Sequence, residues 1–267
     1  MKQNANKNVL ITGSRGGIGR DSAVALARLG YHVFATVHRE ESVEELKNYA
    51  KEKGVSLEVF KLDITESEDR KKITDLDIDI LINNAGIGES GSLTEIPMER
   101  VRNNFETNVF GTIELSQIAL KEMMKKDSGK VIIISSIAGR LPMAFWGAYS
   151  MTKFSLSAAA DIMRQELKMI TENVHVVTVE PGTYHTGFNQ KVMATKYTWM
   201  NKNSYFHKII AKLKQKEESS FATLERKSND SIVNQILKAV EVDQPRLRYT
   251  APWWQAAGAQ LMRIFGK

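Results

Sequence analysis

The sequence of 267 residues contains no cysteine. This absence excludes disulfides, thiolate metal ligands and cysteine nucleophiles, and no metal site is predicted. Long hydrophobic runs are also missing, since no apolar stretch approaches the ~18 residues that a membrane-spanning helix needs. Residues 1–8 are polar and lead directly into an expected strand, so no signal peptide is predicted and we expect a cytoplasmic protein.

Acidic residues are fewer than basic ones, which gives a net charge of +6 and an isoelectric point near 9.3. Much of the excess lies between positions 202 and 216, a stretch that holds five lysines. No groove-reading or base-stacking motif accompanies this charge, so the sequence does not predict a nucleic-acid partner.

Short apolar runs alternate with amphipathic stretches up to Gly182, which is typical of a parallel sheet with crossover helices. The predicted strands are 9–12, 32–37, 57–62, 80–83, 130–135, 174–179 and 247–250. The predicted helices are 18–29, 43–53, 98–125 with a break around 103–111, and 147–170. With 42% hydrophobic residues and no linker-like stretch, residues 1–267 are expected to form one α/β domain.

Two segments depart from this alternation. Residues 183–230 are aromatic and lysine-rich without strand periodicity, and an insertion of this length is typical of a lid or binding loop. Residues 251–267 form an amphipathic tail that includes Trp253 and Trp254. The tail could lie on a membrane surface, and the alternative that we favour is packing on the protein itself or on a partner subunit.

A glycine-rich turn follows the first predicted strand and opens the first predicted helix. Its sequence is Thr-Gly-Ser-Arg-Gly-Gly-Ile-Gly at positions 12–19. Glycines allow a close approach by a pyrophosphate, whose negative charge suits a helix N-terminus. The spacing differs from the Gly-x-Gly-x-x-Gly of many dinucleotide-binding proteins, and a purely structural strand–helix connection is the alternative.

Tyr149 and Lys153 are four residues apart, which places a phenol and an ammonium on one helix face. A nearby positive charge favours the phenolate, so we expect the pKa of Tyr149 to be lowered from about 10. Tyr49 and Lys53 have the same spacing in a charged helix, so the spacing alone does not identify a site. Only the later pair follows a buried strand that ends in serines, with Ser136 thirteen residues before the tyrosine.

Taken in chain order, these motifs resemble those of the short-chain dehydrogenase/reductase family. Matching elements run from residue 9 to about 252: the glycine turn, Leu62-Asp63-Ile64-Thr65, Asn83-Asn84-Ala85-Gly86, Thr107-Asn108-Val109-Phe110-Gly111, Ser136, the Tyr149/Lys153 pair, and Glu180-Pro181-Gly182 leading to Thr186. The resemblance implies a doubly wound, Rossmann-type parallel sheet of about seven strands and a nicotinamide cofactor. Asn-Val-Phe-Gly and Val-Glu-Pro-Gly are further similar to the hydroxysteroid/retinol-dehydrogenase-like branch.

The resemblance also implies a catalytic group of Asn108, Ser136, Tyr149 and Lys153. Tyr149 would exchange a proton with the substrate oxygen, and Ser136 would hydrogen-bond that oxygen. Lys153 would lower the tyrosine pKa and hold the nicotinamide ribose, while Asn108 would position a water beside the lysine. Taken singly, Ser136 could be a strand-end cap and Asn108 a polar residue at a helix irregularity. The predicted cofactor-binding residues are Gly13, Ser14, Arg15, Gly17, Ile18, Gly19, His38, Arg39, Asp63, Ile64, Asn84, Ala85, Gly86, Tyr149, Lys153, Pro181, Gly182 and Thr186.

The end of the second predicted strand indicates which nicotinamide cofactor is used. An acidic residue there would bind the adenosine ribose hydroxyls and repel a 2′-phosphate. The corresponding residue is Val37, which His38 and Arg39 follow, and Arg15 adds a cation at the same corner. We therefore predict NADP(H) over NAD(H), and the alternative is that these cations are ordinary solvent-facing residues.

Three segments are expected to overhang the nicotinamide: 88–96, 138–148 and the 183–230 insertion. Their apolar and aromatic content favours a bulky hydrophobic alcohol or ketone of a steroid-, retinoid- or aryl-ketone-like kind. The predicted substrate residues are Met143, Phe145, Trp146, Phe188 and Met193, although each of them could instead belong to the core.

The function predicted from the sequence is an NADP(H)-dependent oxidoreductase that interconverts a hydroxyl and a carbonyl, as a homodimer or homotetramer. A catalytically silent, cofactor-binding regulatory protein of the same fold is the alternative from another class. Epimerisation or dehydration at the same site is a third reading, and the absence of a large C-terminal substrate domain counts against it.

Overall fold

The framework of the protein is a seven-stranded parallel sheet, seen in a computed structural model that describes residues 7–266. The strands are β1 (Asn8–Ile11), β2 (His32–Val37), β3 (Glu58–Lys61), β4 (Ile80–Asn83), β5 (Gly129–Ile134), β6 (Val174–Pro181) and β7 (Arg248–Ala251). Their order across the sheet is β3-β2-β1-β4-β5-β6-β7. From β1 the chain first adds strands toward one edge of the sheet, and from β4 onward it adds them toward the other edge. At this reversal, between β1 and β4, a ligand crevice forms outside the carboxyl ends of the strands. The predicted doubly wound fold is confirmed.

Helices cover both faces of this sheet. They are α1 (Gly17–Arg28), α2 (Glu41–Glu52), α3 (Ser67–Lys71), α4 (Met98–Phe105), α5 (Thr112–Lys125), α6 (Gly147–Leu167), α7 (Phe188–Tyr197), α8 (Ile210–Leu224), α9 (Asp230–Glu241) and α10 (Trp253–Ile264). The break predicted near 103–111 is a π-helical turn, Glu106–Gly111, between α4 and α5. The short connection between β3 and β4 has room only for the five-residue α3.

The core divides into two layers because successive strand residues point to opposite faces. Val9 and Ile11 of β1 belong to the layer under α1 and α9, whereas Leu10 belongs to the layer under α5 and α6. All three side chains are fully buried. Burying an aliphatic side chain of this size contributes roughly 1.5–3 kcal/mol, so the two layers fix the positions of the strand ends.

The predicted insertion is mostly helical, and residues 198–209 between α7 and α8 end in a short 3₁₀ turn at His207–Ile209. Both of its ends are held by Gln255 of α10, a residue that the sequence did not single out. Its Oε1 accepts a hydrogen bond from the backbone N–H of Thr183 at 2.8 Å, and its Nε2 donates to the carbonyl of Leu224 at 2.9 Å. The C-terminal helix is therefore tied to the beginning of the insertion and to the end of α8.

The C-terminal helix α10 packs on the body through a narrow face of Gln255, Ala256 and Ala259. Its large apolar side chains point outward: Trp253, Trp254, Leu261, Met262, Ile264 and Phe265 are all exposed. The last tail residue, Lys267, lies outside the described residues. Within residues 7–266, no helix is both long and apolar enough to cross a membrane.

Candidate active site

The glycine turn after β1 packs directly on the segment that follows β4. Gly13 and Gly17 have left-handed φ values of +68° and +56°. A Cβ on Gly13 would lie 2.7 Å from Cα of Ala85, and one on Gly19 would lie 2.4 Å from Nδ2 of Asn84. Side chains at these positions would force the two segments apart, so the glycines set the shape of the turn.

Two predicted cofactor residues hold this turn in place. Asn84 donates from Nδ2 to the carbonyl of Thr12 at 2.9 Å, and the Thr12 hydroxyl accepts from the backbone N–H groups of Asn84 and Ala85 at 3.0 Å. Ser14 is fully buried and donates its hydroxyl to the carbonyl of Ile11 at 3.1 Å. Both side chains therefore have a structural role at the turn, whatever they contribute to a ligand.

A cavity of about 700 Å³ opens at the carboxyl ends of the strands. The predicted cofactor residues that line it are Gly13, Arg15, Gly17, Ile18, Gly19, His38, Asp63, Ile64, Asn84, Ala85, Gly86, Tyr149, Lys153, Pro181, Gly182 and Thr186. Among the described residues, Ser14 and Arg39 are the predicted cofactor residues that do not line it. The glycine turn lines this cavity and opens helix α1, and a helix N-terminus suits a pyrophosphate, so the cavity fits a dinucleotide.

The predicted catalytic pair lies on α6, and both side chains are buried at the cavity wall together with Ser136. Nζ of Lys153 donates to the carbonyl of Ile134 at 2.8 Å and lies 5.7 Å from the centre of the Tyr149 ring. Ser136 begins a 3₁₀ turn after β5, and its hydroxyl accepts from the backbone N–H of Ala138 at 3.1 Å. The structure thus brings together the three side chains that stood apart in sequence.

Burial dominates the acid–base behaviour of this pair. It raises the pKa of Tyr149 to about 12, although a hydrogen bond with Ser136 acts in the opposite direction. It lowers the pKa of Lys153 to about 8. The expected lowering of the Tyr149 pKa is therefore contradicted, because desolvation of the phenolate outweighs the hydrogen bond with Ser136. A phenol with this pKa is protonated at neutral pH and can act as a proton donor.

Asn108 lies in the π-helical turn and is almost completely buried. Its Oδ1 accepts from the backbone N–H of Ile87 at 2.8 Å, while its Nδ2 donates to the Ile87 carbonyl at 2.8 Å and to Oγ1 of Thr152 at 3.0 Å. With these bonds the side chain connects the segment after β4 to α6. The predicted water beside Lys153 would consequently depend on the backbone of this turn rather than on the amide group.

The second tyrosine–lysine pair lies elsewhere. Tyr49 is on α2, and it is absent from the cavity lining as far as residues 7–266 are concerned. The Arg20 guanidinium stacks 3.9 Å from the centre of its ring, and Nζ of Lys53 is 5.2 Å away. Tyr49 therefore offers a chemically matched control for Tyr149.

Cations surround one end of the cavity, next to β2. Arg15 and His38 line the wall, and Nε of Arg15 is 3.3 Å from Oε2 of Glu45. Arg39 lies outside the wall, 3.9 Å from Glu41. Exposed ion pairs of this kind contribute about 0–1 kcal/mol, so both guanidinium groups can turn toward a stronger anion.

Aromatic side chains pack against the other end of the cavity around Tyr149. The ring centres of Phe188 and Trp146 lie 5.7 and 6.1 Å from that of Tyr149, and Met193 is buried in the same cluster. Phe188 also lines the cavity. The other two predicted substrate residues are placed differently: Phe145 packs on Phe206 with ring centres 5.1 Å apart, and Met143 is exposed.

The three segments predicted to overhang the site meet at Ser90 and Gly91, which the sequence did not single out. The backbone N–H of Ser90 donates to Oγ1 of Thr195 at 3.0 Å, and that of Gly91 donates to the carbonyl of Phe145 at 2.9 Å. A Cβ on Gly91 would lie 2.0 Å from the Trp199 ring. The small residues at 90 and 91 therefore allow α7 and the 138–148 loop to close on each other.

Comparison with known proteins identifies the class to which this chain belongs. The family model for short chain dehydrogenases matches residues 7–197. Estradiol 17-beta-dehydrogenase 1 of Rattus norvegicus is 30% identical over 252 residues, which cover 90% of this chain and 72% of that protein. The crystal structure of a short-chain dehydrogenase from Streptomyces avermitilis gives a TM-score of 0.79 at 25% identity, covering 100% of this chain and 94% of that chain.

A second solved structure, described as a short chain dehydrogenase from Escherichia coli CFT073 complexed with NADPH, gives a TM-score of 0.65 at 26% identity. It covers 73% of this chain and 85% of that one. The protein belongs to the short-chain dehydrogenase/reductase family. It is accordingly an oxidoreductase with a Rossmann-type fold.

Proposed function

We propose that this protein is an NADP(H)-dependent oxidoreductase that interconverts a hydroxyl and a carbonyl group on a bulky hydrophobic substrate. The observation that carries this proposal is the joint placement of Ser136, Tyr149 and Lys153 on the wall of the cavity that the glycine turn opens. A proton donor, a second hydroxyl and a cation then face the space for one dinucleotide and one substrate.

Each of these side chains has a distinct part in the proposed reaction. A nicotinamide cofactor held in this cavity would supply or accept the hydride. Tyr149 donates a proton to the carbonyl oxygen during reduction, and Ser136 orients the same oxygen by a hydrogen bond. Lys153 uses one N–H on the Ile134 carbonyl, which leaves two donors for the ribose hydroxyls of the cofactor.

The proposed preference for NADP(H) rests on the charges at the β2 end of the cavity. Val37 places no carboxylate against an adenosine ribose, and Arg15 and His38 line the wall there. A guanidinium binds a phosphate through two parallel hydrogen bonds, which Arg15 and the nearby Arg39 can offer to a 2′-phosphate. The NADPH complex of the Escherichia coli protein supports this assignment by analogy.

The proposed substrate class rests on the aromatic cluster around Tyr149. Trp146, Phe188 and Met193 pack around Tyr149 in one apolar cluster, and Phe188 carries this apolar surface to the wall of the cavity. The similarity to a rat estradiol dehydrogenase agrees with a steroid-like alcohol or ketone. Within one domain spanning residues 1–267, we assign the segment 183–230 the role of a substrate lid.

The proposal is tested by measuring the loss of NADPH absorbance with a panel of hydrophobic and small polar carbonyl compounds. Tyr149→Phe removes only the hydroxyl, and turnover is expected to fall by at least about 10²-fold because the proton donor is lost. Tyr49→Phe is the matched control and is expected to stay within about twofold of the unmodified protein, since that ring lies outside the cavity.

Other outcomes would change specific parts of the proposal. Full turnover by Tyr149→Phe would contradict the assigned proton donor. Turnover of small polar carbonyls alone would contradict the hydrophobic substrate. Tight NADPH binding without turnover in either direction would favour the cofactor-binding regulatory protein.

A further inference from the structure

Glu180 carries a buried carboxylate that the proposed reaction does not use. It lies in β6 immediately before Pro181 and is fully buried. Its Oε2 accepts from Nε of Arg140 at 2.6 Å and also contacts Nη2 of that residue, while its Oε1 accepts from Nη1 of Arg248 at 3.2 Å. Burying charges carries a desolvation cost, and apolar side chains of similar volume often stabilise a protein as well. The ion pair therefore calls for an explanation other than stability.

The position of this ion pair supplies one. Arg140 directly follows the 3₁₀ turn Ile137–Gly139 that Ser136 begins, so the guanidinium anchors the far end of the serine turn. Glu180 belongs to the strand whose end, Pro181 and Gly182, lines the cofactor cavity. The pair consequently connects the turn that carries the Ser136 hydroxyl to the wall that would hold the cofactor.

The hydrogen bonds within the turn are local. The N–H groups of Ala138 and Gly139 donate to Oγ and the carbonyl of Ser136 at 3.1 and 3.0 Å, which fixes the shape of the turn. The start of the turn is held by Ser135, whose N–H donates to the carbonyl of Val179 at 2.8 Å. The far end of the turn is connected to the sheet through the Arg140 side chain. The placement of the turn therefore depends on Glu180.

The turn also has little freedom on its other side. A Cβ on Gly139 would lie 2.7 Å from the carbonyl oxygen of Lys153, so the turn rests directly on the backbone of α6. Arg248 extends the ion pair to the same helix by contacting Asp161. A small displacement of Arg140 would therefore move Ser136 relative to the catalytic helix.

We propose that Glu180 is a positioning residue. Through Arg140 it holds the Ser136 hydroxyl where Ser136 and Tyr149 can reach the same substrate oxygen. This inference rests on the proposed function, because it requires Ser136 to act on the substrate oxygen. A misplacement of about 1 Å in a reacting group can reduce turnover by about 10²-fold, so the ion pair is expected to affect rate more than binding.

A double-mutant cycle tests this inference with Glu180→Gln, Ser136→Ala and the combination. Glu180→Gln keeps the size of the side chain, and kcat is expected to fall by about tenfold while the Kd for NADPH, followed by its fluorescence, changes by less than about twofold. In the Ser136→Ala background the same substitution is expected to cause no further loss, because the group that it positions is gone. Arg140→Lys replaces Glu180→Gln in the cycle if the latter fails to fold.

Arg164→Met is the control for a merely structural effect. Arg164 also braces β6, through bonds to the carbonyls of Val176 at 3.0 Å and Pro245 at 2.6 Å, but at the opposite end of the strand. Arg164→Met is expected to lower the melting temperature, and any effect that it has on kcat should not depend on whether Ser136 is present. An unchanged kcat in Glu180→Gln, or an equal loss with and without Ser136, would overturn the inference. If Ser136→Ala is fully active, Ser136 takes no part in the reaction, and that result would instead overturn the proposed function.

Discussion

Helix α6 shows how one environment can shift the pKa values of two groups in opposite directions. Burial raises the pKa of Tyr149 to about 12 and lowers that of Lys153 to about 8, because it disfavours phenolate and ammonium alike. At neutral pH the phenol therefore keeps its proton, and most of the lysine remains charged. This combination of protonation states suits the reduction of a carbonyl, whereas oxidation of an alcohol requires the phenol to lose its proton first.

The cations beside β2 lead to a prediction about cofactor choice. Arg15→Ala combined with Arg39→Ala removes two donors for a 2′-phosphate, and each hydrogen bond between charged groups contributes about 1.5–3 kcal/mol. The KM for NADPH is therefore expected to rise at least about tenfold, while that for NADH changes little. Steady-state kinetics with both cofactors provide the measurement.

Arg28→Ala is the matched control for this pair of substitutions, because Arg28 is an exposed arginine at the end of α1 that donates a hydrogen bond to the carbonyl of Lys53 and does not line the cavity as described. It should leave both KM values unchanged. Equal use of NADPH and NADH by the unmodified protein would argue against the proposed phosphate site.

At the scale of secondary-structure elements, α8 is a surface helix of the insertion. In the described part of the chain, α8 has no buried residue of its own. Lys196 of α7 is fully buried and contacts Oε1 of Glu217, whose Oε2 accepts from the Tyr197 hydroxyl at 2.8 Å. The ring of Phe221 stacks on Trp146 with centres 5.6 Å apart. The ion pair, the tyrosine hydrogen bond and the aromatic contact thus join α8 to α7 and Trp146, and Gln255 holds the end of α8 at Leu224.

Removing one partner of this ion pair is expected to release α8. Glu217→Gln leaves the buried ammonium of Lys196 without a counter-charge, and breaking a buried pair in this way costs about 3–5 kcal/mol. Trypsin cleavage at the lysines of α8 is therefore expected to accelerate at least about tenfold, because local opening becomes more frequent. Limited proteolysis followed by mass spectrometry measures the effect.

Two further variants separate the ion pair from general destabilisation. Lys196→Met combined with Glu217→Leu replaces the charges by apolar groups, so it should restore protection. Lys125→Met removes an exposed partner of Glu122 on α5 and should change nothing. Rapid cleavage in the apolar double variant would show that the charges themselves hold α8 in place, and it would contradict the explanation by an unpaired buried ammonium.

At the scale of the whole molecule, the parallel sheet and the glycine turn are predictable because they depend on local patterns. Apolar runs, glycines and the Tyr149/Lys153 spacing are all visible within short stretches of sequence. The contacts that close the site join residues far apart in the chain, such as Ser90 with Thr195 or Thr183 with Gln255, separated by 105 and 72 positions. No periodic pattern in the sequence indicates such pairs. The direction of the Tyr149 pKa shift also depends on distant segments, because it results from burial and Phe188 of the insertion packs on the Tyr149 ring.

The outer face of α10 leads to a prediction about assembly. Leu261, Ile264 and Phe265 are 55%, 64% and 71% exposed, and a contiguous apolar face of this kind usually marks an interaction site. Since most oligomers are symmetric assemblies of identical chains, we expect a second copy to cover it. Changing these three residues to serine is then expected to halve the molar mass measured by light scattering. An unchanged mass, combined with lost binding to anionic lipid vesicles, would instead assign the face to a membrane surface.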